Sequence, residues 1–468
     1  MPEICNCDGG KRLTTQAVWG LEGVVRKLAA IALAVCAACG GPPRVPEPVI
    51  EQRQRLIQAD LDEGRTTEAW KRYQELVNST GRPVFPDMLA AIAAATLTQG
   101  LVHNEPAARV AALAALQYAD AVFAADAAAA RLRDPELAVR TAAADALRRA
   151  GRLEMIALIR PQLKTEPPGG LQVIETQLLR EYEKLHTHVR WALAELGDDS
   201  LPIGPLVDSM SSADPAIRAA AARALGALGK RNALPSLRYG LNDDIEWQVN
   251  RASAEALLNL DERAPAAQYA ESAAGSIEPR RVVWALDVRR RHGIGPTPDW
   301  ILEVASYRRE PAIRRKAAEV LGRLNVARAE PRLNEMLNQF EARVRAAAAY
   351  ALVLLGRPSH TEKIVEAAAD DDPAVRQQAL GYLAELDQAR FRQAISSALN
   401  DPEPAVRFAA VLAYAPSNER LPDQQIPRLA ALADLGTKLD DGDDSVRFTA
   451  AALIRRLWPR RAGQEQNQ

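Results

Sequence analysis

Residues 214 to 229 decide the fold: Asp214-Pro215-Ala216-Ile217-Arg218, then Ala219 to Ala222, then Leu225, Leu228 and Gly229. Asp is a strong N-cap, Pro is preorganised for the first helical position, and Gly accepts the left-handed backbone that ends a helix. Ile217, Ala221, Ala222, Leu225 and Leu228 share one stripe at the 3.6-residue period. A short amphipathic helix follows, and its small seam residues let neighbouring helices approach to the near end of about 8–10 Å.

The same order recurs along the chain. An apolar residue followed by Arg opens an Ala-rich helix at Arg140, Arg218, Arg314, Arg345, Arg376, Arg407 and Arg447. Arg109, Arg190 and Arg281 are assigned as weaker versions, and Asn250 replaces the Arg in one unit. Successive spacings are then 31, 50, 28, 32, 31, 33, 31, 31, 31 and 40 residues, which makes eleven units. Val139, Val189, Ile217, Val249, Ile313, Val344, Val375, Val406 and Val446 precede the anchor, and Leu usually stands seven residues after it. A period of this length suits two helices of about three turns.

A cation in the first helical turn opposes the helix dipole by about 0.3–1 kcal/mol. Nine units carry an acid four residues earlier: Glu105, Glu136, Asp214, Glu246, Glu310, Glu341, Asp372, Glu403 and Asp443. Those acids are expected to pair with the Arg within the helix. Asp134, Asp370, Asp401 and Asp441, six residues ahead of an anchor, are expected to bond the Arg of the neighbouring repeat. The Arg series is therefore read as a structural ladder between repeats.

The Asp-Pro, Val-Arg, Ala-Ala, Ala-Leu-Gly order resembles short HEAT repeats of the kind found in phycobilin lyase subunits, over roughly residues 100 to 460. The resemblance implies an all-α fold, an α-solenoid superhelix of about eleven helical-hairpin repeats in which each unit contacts its neighbours. It also implies that the Arg-anchored helix lines the concave side. Positions one and five residues after the anchor are expected to face that groove, which nominates Trp191, Phe408 and Phe448 at the first and Tyr350 at the second as contacts for a partner. Arg223, Arg315, Glu255 and Glu319 would line it with mixed charge.

Composition agrees with a helical body: 48% of the residues are hydrophobic, yet only 5% are aromatic, with Ala and Leu carrying the remainder. A net charge of −1 supplies no global field for nucleic acid, which is not expected as a partner. All four cysteines lie at Cys5, Cys7, Cys36 and Cys39, so the body has no thiol for a disulfide or thiolate metal site.

Arg26-Lys27, the apolar run Leu28 to Ala38, and Ala37-Ala38-Cys39-Gly40 follow the order of a secretory signal. The run is too short to span a bilayer core, which takes about 20 residues. Small residues before Cys39 resemble a bacterial lipobox, which implies acylation of Cys39 and a protein exported to the cell envelope, with its membrane contact through that lipid. Cys36 stands where that family prefers Leu, and the long segment before Arg26 suggests a true start near 24–25. The expected organisation is a signal over 1–38, a Pro/Gly tether over 39–48, a helical cap over 49–100 and the solenoid over 101–460. The solenoid carries an insertion near 160–185, and a polar tail covers 461–468.

Catalytic constellations are not found. His103, His186, His188, His292 and His360 are scattered, and none is followed directly by Glu, the dyad of the HEAT-fold di-iron hydroxylase, so that resemblance stops at the fold. His186 and His188, two residues apart, face different sides of a helix and would chelate only if it were broken. The carboxylates at Asp243-Asp244, Asp370 to Asp372 and Asp440-Asp441 fall at repeat turns, where capping explains them. No cofactor or metal is expected. The expected function is a non-catalytic scaffold or adaptor holding a protein or peptide on its concave face. The alternative is a phycobilin-lyase-like subunit handling a tetrapyrrole and its protein.

Overall fold

The computed structural model describes residues 45–164, 166, 176–306, 309–416 and 426–459, and among these it holds 24 α-helices and no strand. The expected signal, Cys39, most of the expected tether and the tail lie outside the described residues. An N-terminal hairpin is formed by α1 (Glu47–Asp62) and α2 (Thr66–Thr80). Eleven further hairpins follow, and their first helices are the odd-numbered ones. These are α3 (Pro86–Leu101), α5 (Ala121–Ala129), α7 (Ile156–Ile159), α9 (Gly204–Ser209), α11 (Leu234–Asn242), α13 (Arg263–Ala274), α15 (Pro298–Val304), α17 (Glu330–Met336), α19 (Thr361–Ala367), α21 (Arg392–Ala398) and α23 (Arg428–Gly436). The even-numbered partners are α4 (Pro106–Ala115), α6 (Leu137–Ala150), α8 (Thr176–Glu195), α10 (Pro215–Leu228), α12 (Trp247–Asn259), α14 (Pro279–His292), α16 (Pro311–Arg323), α18 (Ala342–Leu354), α20 (Pro373–Asp387), α22 (Pro404–Ala413) and α24 (Asp444–Leu457).

Even-numbered helices pack on one another in sequence, whereas successive odd-numbered ones make little contact. In a curved stack the inner elements crowd and the outer ones splay, so the even, Arg-anchored helices form the inner wall. The step from α12 to α14 is bridged by side chains, with Trp247 and Trp284 edge to face at 5.5 Å. The solenoid then closes on itself, because α24 lies in the groove between α3 and α4. Arg455 in α24 donates to Asp120 at 3.2 Å, and Trp458 Nε1 donates to Asp87 at 2.8 Å. The core is accordingly one continuous apolar seam running around a ring.

The phase of the repeats is set at the ends of the inner helices. Gly151, Gly197, Gly229, Asp261, Gly293, Asn325 and Gly356 all have positive φ, between 52° and 83°. Each stands eleven residues after an anchor, provided that the anchors of α8 and α14 are His186 and Val282. Leu185, directly before His186, is accordingly buried where the stripe requires an apolar residue, and in α14 Val282 is itself buried in the Arg position. Arg190 and Arg281 are thus not anchors, and the flanking steps become 46 and 32, and 32 and 32, residues. Val189-Arg190 lies four residues after the anchor position of α8, and Arg281 one residue before that of α14. The polar segment before Leu185 is the N-terminal extension of α8, which enters the ring as one helix of 20 residues.

Arg anchors work through the backbone of the preceding turn. Arg218 Nη1 donates to Ser212 O at 2.8 Å while its Nε and Nη2 fork onto Asp244 at 2.7 and 2.9 Å. Arg376 repeats this with Asp370 O and Asp401, and Arg407 with Asp401 O and Asp441. Each guanidinium therefore satisfies carbonyls of the turn that joins its own outer and inner helices and bonds the next repeat's turn. Arg314 reaches Glu341 at 2.8 Å, and Arg345 and Arg447 reach the carbonyls of Gln339 and Asp441. Arg140 is half-buried, with its Nε unpartnered. Asn250 makes the same turn contacts with its amide, to Gly240 O at 3.0 Å and Asp244 O at 2.9 Å.

The acids four residues before the anchor occupy the N-cap position, and the three aspartates among them cap with their side chains. Asp214, Asp372 and Asp443 accept from backbone amides two residues on, while Glu341 reaches the Arg of the preceding repeat. The expected pairing within the helix gives way because the Arg already spans two turns.

Candidate functional site: the inner wall of the ring

Facing the lumen are side chains that the Ala-lined seam cannot absorb. In α8 the indole of Trp191 is half-exposed and lies between two guanidiniums, Arg148 of α6 at 4.0 Å and Arg223 of α10 at 5.4 Å. Its Nε1 donates to Glu195 at 2.6 Å, and Arg148 also reaches Glu195 at 2.6 Å. His188 stands 3.1 Å from Asp145 of α6. Burial lowers the pKa of Arg223, partly countered by Glu255. A cleft of about 420 Å³ opens beside it, lined by Glu195, Arg223, Glu255 and Asn259.

Farther along the wall, α16 and α20 approach each other over α18. Tyr350 of α18 stacks on Tyr382 of α20 at 4.2 Å, and Tyr382 donates to Glu319 of α16 at 2.6 Å. Arg323 of α16 donates to Glu385 of α20 at 2.7 Å. Nearer the N-terminal ends of the same helices, Arg315 and Arg343 both donate to the amide oxygen of Gln378, at 3.2 and 3.0 Å. Burial lowers the Arg343 pKa, and the Arg315 charge lowers it further.

Of the four aromatics nominated for a partner, two are buried. Tyr350 is 0% exposed, because the wall turns sharply enough there for the flanking helices to close over it. Phe448 is 2% exposed and fills the space beside Gly100 of α3, so it belongs to the closing seam. Phe448 is taken up by the closing seam, whereas the same position after the anchor in α16 and α22, Arg315 and Phe408, is only partly buried. Trp191 and Phe408 remain half-exposed, and with His186 as anchor Trp191 falls at the fifth position. Trp191 and Phe408 lie on separate repeats and do not form one cluster with the other two. Arg148, Arg343 and Gln378 were not singled out from the sequence. Arg148 has a signal once α6 and α8 are in phase, but Arg343 and Gln378 converge only through the bend.

Among the described residues, no group of three metal-ligating side chains converges, and no helix is long and apolar enough to cross a membrane.

A closed stack of helical hairpins, joined by an arginine ladder around a polar inner wall, defines an α-solenoid of the kind whose repeats mediate protein interaction. The family model for HEAT repeats matches residues 176–258, 298–371 and 361–455, just over half of the chain, and the chain belongs to the HEAT-repeat family. Among solved structures it is similar to the complex of CpcE and CpcF of phycocyanin lyase from Nostoc sp. PCC7120. There the identity is 19%, with 62% of this chain and 98% of that one covered and a TM-score of 0.25. It is similar also to human deoxyhypusine hydroxylase, at 21% identity over 62% of this chain and 94% of that one, TM-score 0.25. Kap95p, solved with RanGDP, matches at 13% identity over 78% of this chain and 56% of that one, TM-score 0.35. No curated protein matches the chain by sequence.

Proposed function

We propose that this protein is a non-catalytic scaffold whose inner wall holds a peptide segment of another protein, and that acylation of Cys39 tethers it to a cell envelope. The observation carrying the first part is the Trp191 sandwich. A large aromatic held rigid between two guanidiniums, half-open beside a cleft, has the composition of an interface hot spot. Size favours a segment over a folded domain. Eleven inner helices at about 8–10 Å make a circuit of roughly 90–110 Å, so a circular lumen is no wider than about 25 Å after subtracting a helix radius of about 5 Å on each side. A helix or extended strand passes such an opening, whereas a small domain is about 30 Å across.

The test is site-specific photocrosslinking in the native cell from Asn259 in the cleft and, as control, from Arg231 on the outer side. A defined protein should be caught from Asn259 alone and lost on Trp191→Ala with helicity unchanged. Equal capture from both positions, or capture indifferent to Trp191, defeats the scaffold reading. For the anchor, detergent partitioning of wild type and Cys39→Ser decides, and equal partitioning removes it.

A further inference from the structure

Several arginines of this ring are matched to carboxylates across repeats. Arg218, Arg376 and Arg407 fork onto aspartates, Arg323 meets Glu385, and Arg392 forks onto Asp434. Between α16, α18 and α20 the wall does otherwise. Arg315 Nη1 of α16 and Arg343 Nε of α18 converge on Oε1 of Gln378, a neutral acceptor, and Gln378 in turn donates to Arg343 O at 2.8 Å and shares a contact with Tyr382 OH at 3.0 Å. The acids on the packed elements are engaged elsewhere. Glu319 accepts from Tyr382 and pairs with Lys316, and Asp372 caps α20.

Two positive charges are thereby held side by side with one amide dipole between them. A guanidinium carries five N–H donors, so most of the pair's donors remain for a ligand, in a fork that fits a carboxylate. The site lies toward the N-terminal ends of α16, α18 and α20, whose dipoles add positive potential. Phe340, 88% exposed, stands three residues before Arg343 in the turn leading into α18.

We infer that the Arg315–Arg343 pair is a carboxylate-recognition site at the mouth of the lumen, and that the segment it takes is an acidic peptide with an apolar residue to rest on Phe340. This rests on the scaffold reading and names the chemistry of its partner. An acidic peptide accounts for both the cations and the exposed ring. A small anion would use only the guanidiniums, and nucleic acid would bring many phosphates to a chain of net charge −1.

Fluorescence anisotropy at about 0.1 M salt tests it, using the full chain, a short labelled Glu/Leu peptide, the matching Lys/Leu peptide and a single-stranded DNA of similar length. The acidic peptide should bind and the basic one should not. The double variant R315Q/R343Q should weaken binding at least about tenfold, with circular dichroism unchanged, while R231Q on the outer side should leave it as it was. Phe340→Ala should weaken the peptide but not competition by free acetate. No binding of the acidic peptide by wild type, equal binding by R315Q/R343Q, equal binding of the basic peptide, or tighter binding of the DNA each overturns the inference. Those outcomes are independent of photocrosslinking from Asn259, so the scaffold reading stands or falls separately.

Discussion

Arg455 in the last inner helix bonds Asp120, 335 residues earlier in the chain, at 3.2 Å. Asp120 at the same time caps α5 by accepting from Phe123 N at 2.9 Å, and the Arg455 guanidinium lies 4.8 Å from the Phe123 ring. One carboxylate thus starts an outer helix and receives the end of the solenoid. Removing the guanidinium leaves the cap intact but strips the seam of a charge-assisted bond, worth about 1.5–3 kcal/mol. Arg455→Ala should therefore open the ring before it unfolds the repeats. Small-angle scattering should show a larger radius of gyration at unchanged helicity, and an unchanged radius would refute this account of closure.

Gly100 and Phe448 make the second contact of the seam. A Cβ at Gly100 would run into the Phe448 ring and meet Ala112 Cβ at 3.0 Å. Gly100→Ala should cost about 1–3 kcal/mol by overpacking, and Phe448→Ala about 3–5 kcal/mol by loss of a buried ring. Because both act on one space, the double variant should lose clearly less than the sum. Urea denaturation of the four proteins measures this, and strict additivity would show that the two residues do not meet.

Ladder arginines should matter far more than exposed ones. Arg407→Ala leaves Asp441, a buried carboxylate, without its fork, and should cost about 2–4 kcal/mol. Arg280 pairs with Glu278 in the open, and Arg280→Ala should fall within about 0.5 kcal/mol. Equal urea midpoints for the two variants would argue against the ladder as a source of stability.

Acid should loosen the stack. The hydrogen bond from Arg376 holds the Asp401 carboxyl below its ordinary value. Burial raises Asp244 and Asp441, but the bonds from Arg218 and Arg407, together with the backbone amides of Glu246 and Asp443 and the arginine charges, outweigh it and leave both lowered. Folded values that lie below the unfolded one of about 3.9 mean stability present above that pH and lost as pH falls through the folded values. Urea midpoints should hold from neutrality to about pH 5 and drop below about pH 4, less steeply in Asp401→Asn. A flat profile down to pH 3 would contradict the assignment.

Alkali should act on the tyrosines. Burial pushes the Tyr73 hydroxyl up to about 12, and Tyr382 is raised well above its ordinary value by burial and by Glu319. The neutral forms are favoured in the fold, so stability should decline as pH rises past about 10. Absorbance at the phenolate band should show the exposed tyrosines titrating first and the buried ones only with unfolding; one transition near 10 for all would overturn this.

Much of the architecture was legible because it is local and repeated. The Asp-Pro-Ala-Ile-Arg start, the Ala seam and the terminal Gly of α10 are each a backbone requirement met by a residue type, and their recurrence counts the hairpins. The phase slipped at α8 and α14, where His186 and Val282 occupy the Arg position and the pattern has no charge to mark it. The inner wall was less legible. Trp191 stood out as a rare aromatic, but Tyr350 and Phe448 stood out equally, and nothing in their helical positions separates a lumen side chain from one buried at a bend or a seam.

The sequence by itself determined where most of the Arg-anchored helices begin and end, which stripe of each is apolar, and that a hairpin must lie against the next to cover its alanines. Only the tertiary structure decided that the stack returns to its start, that Phe448 meets Gly100, and that Arg315 and Arg343 share Gln378. The reason is that a repeat encodes the contact with its neighbour directly, whereas curvature is a small rotation accumulated over eleven repeats. Which residues meet after a full circuit depends on that sum, and no single repeat contains it.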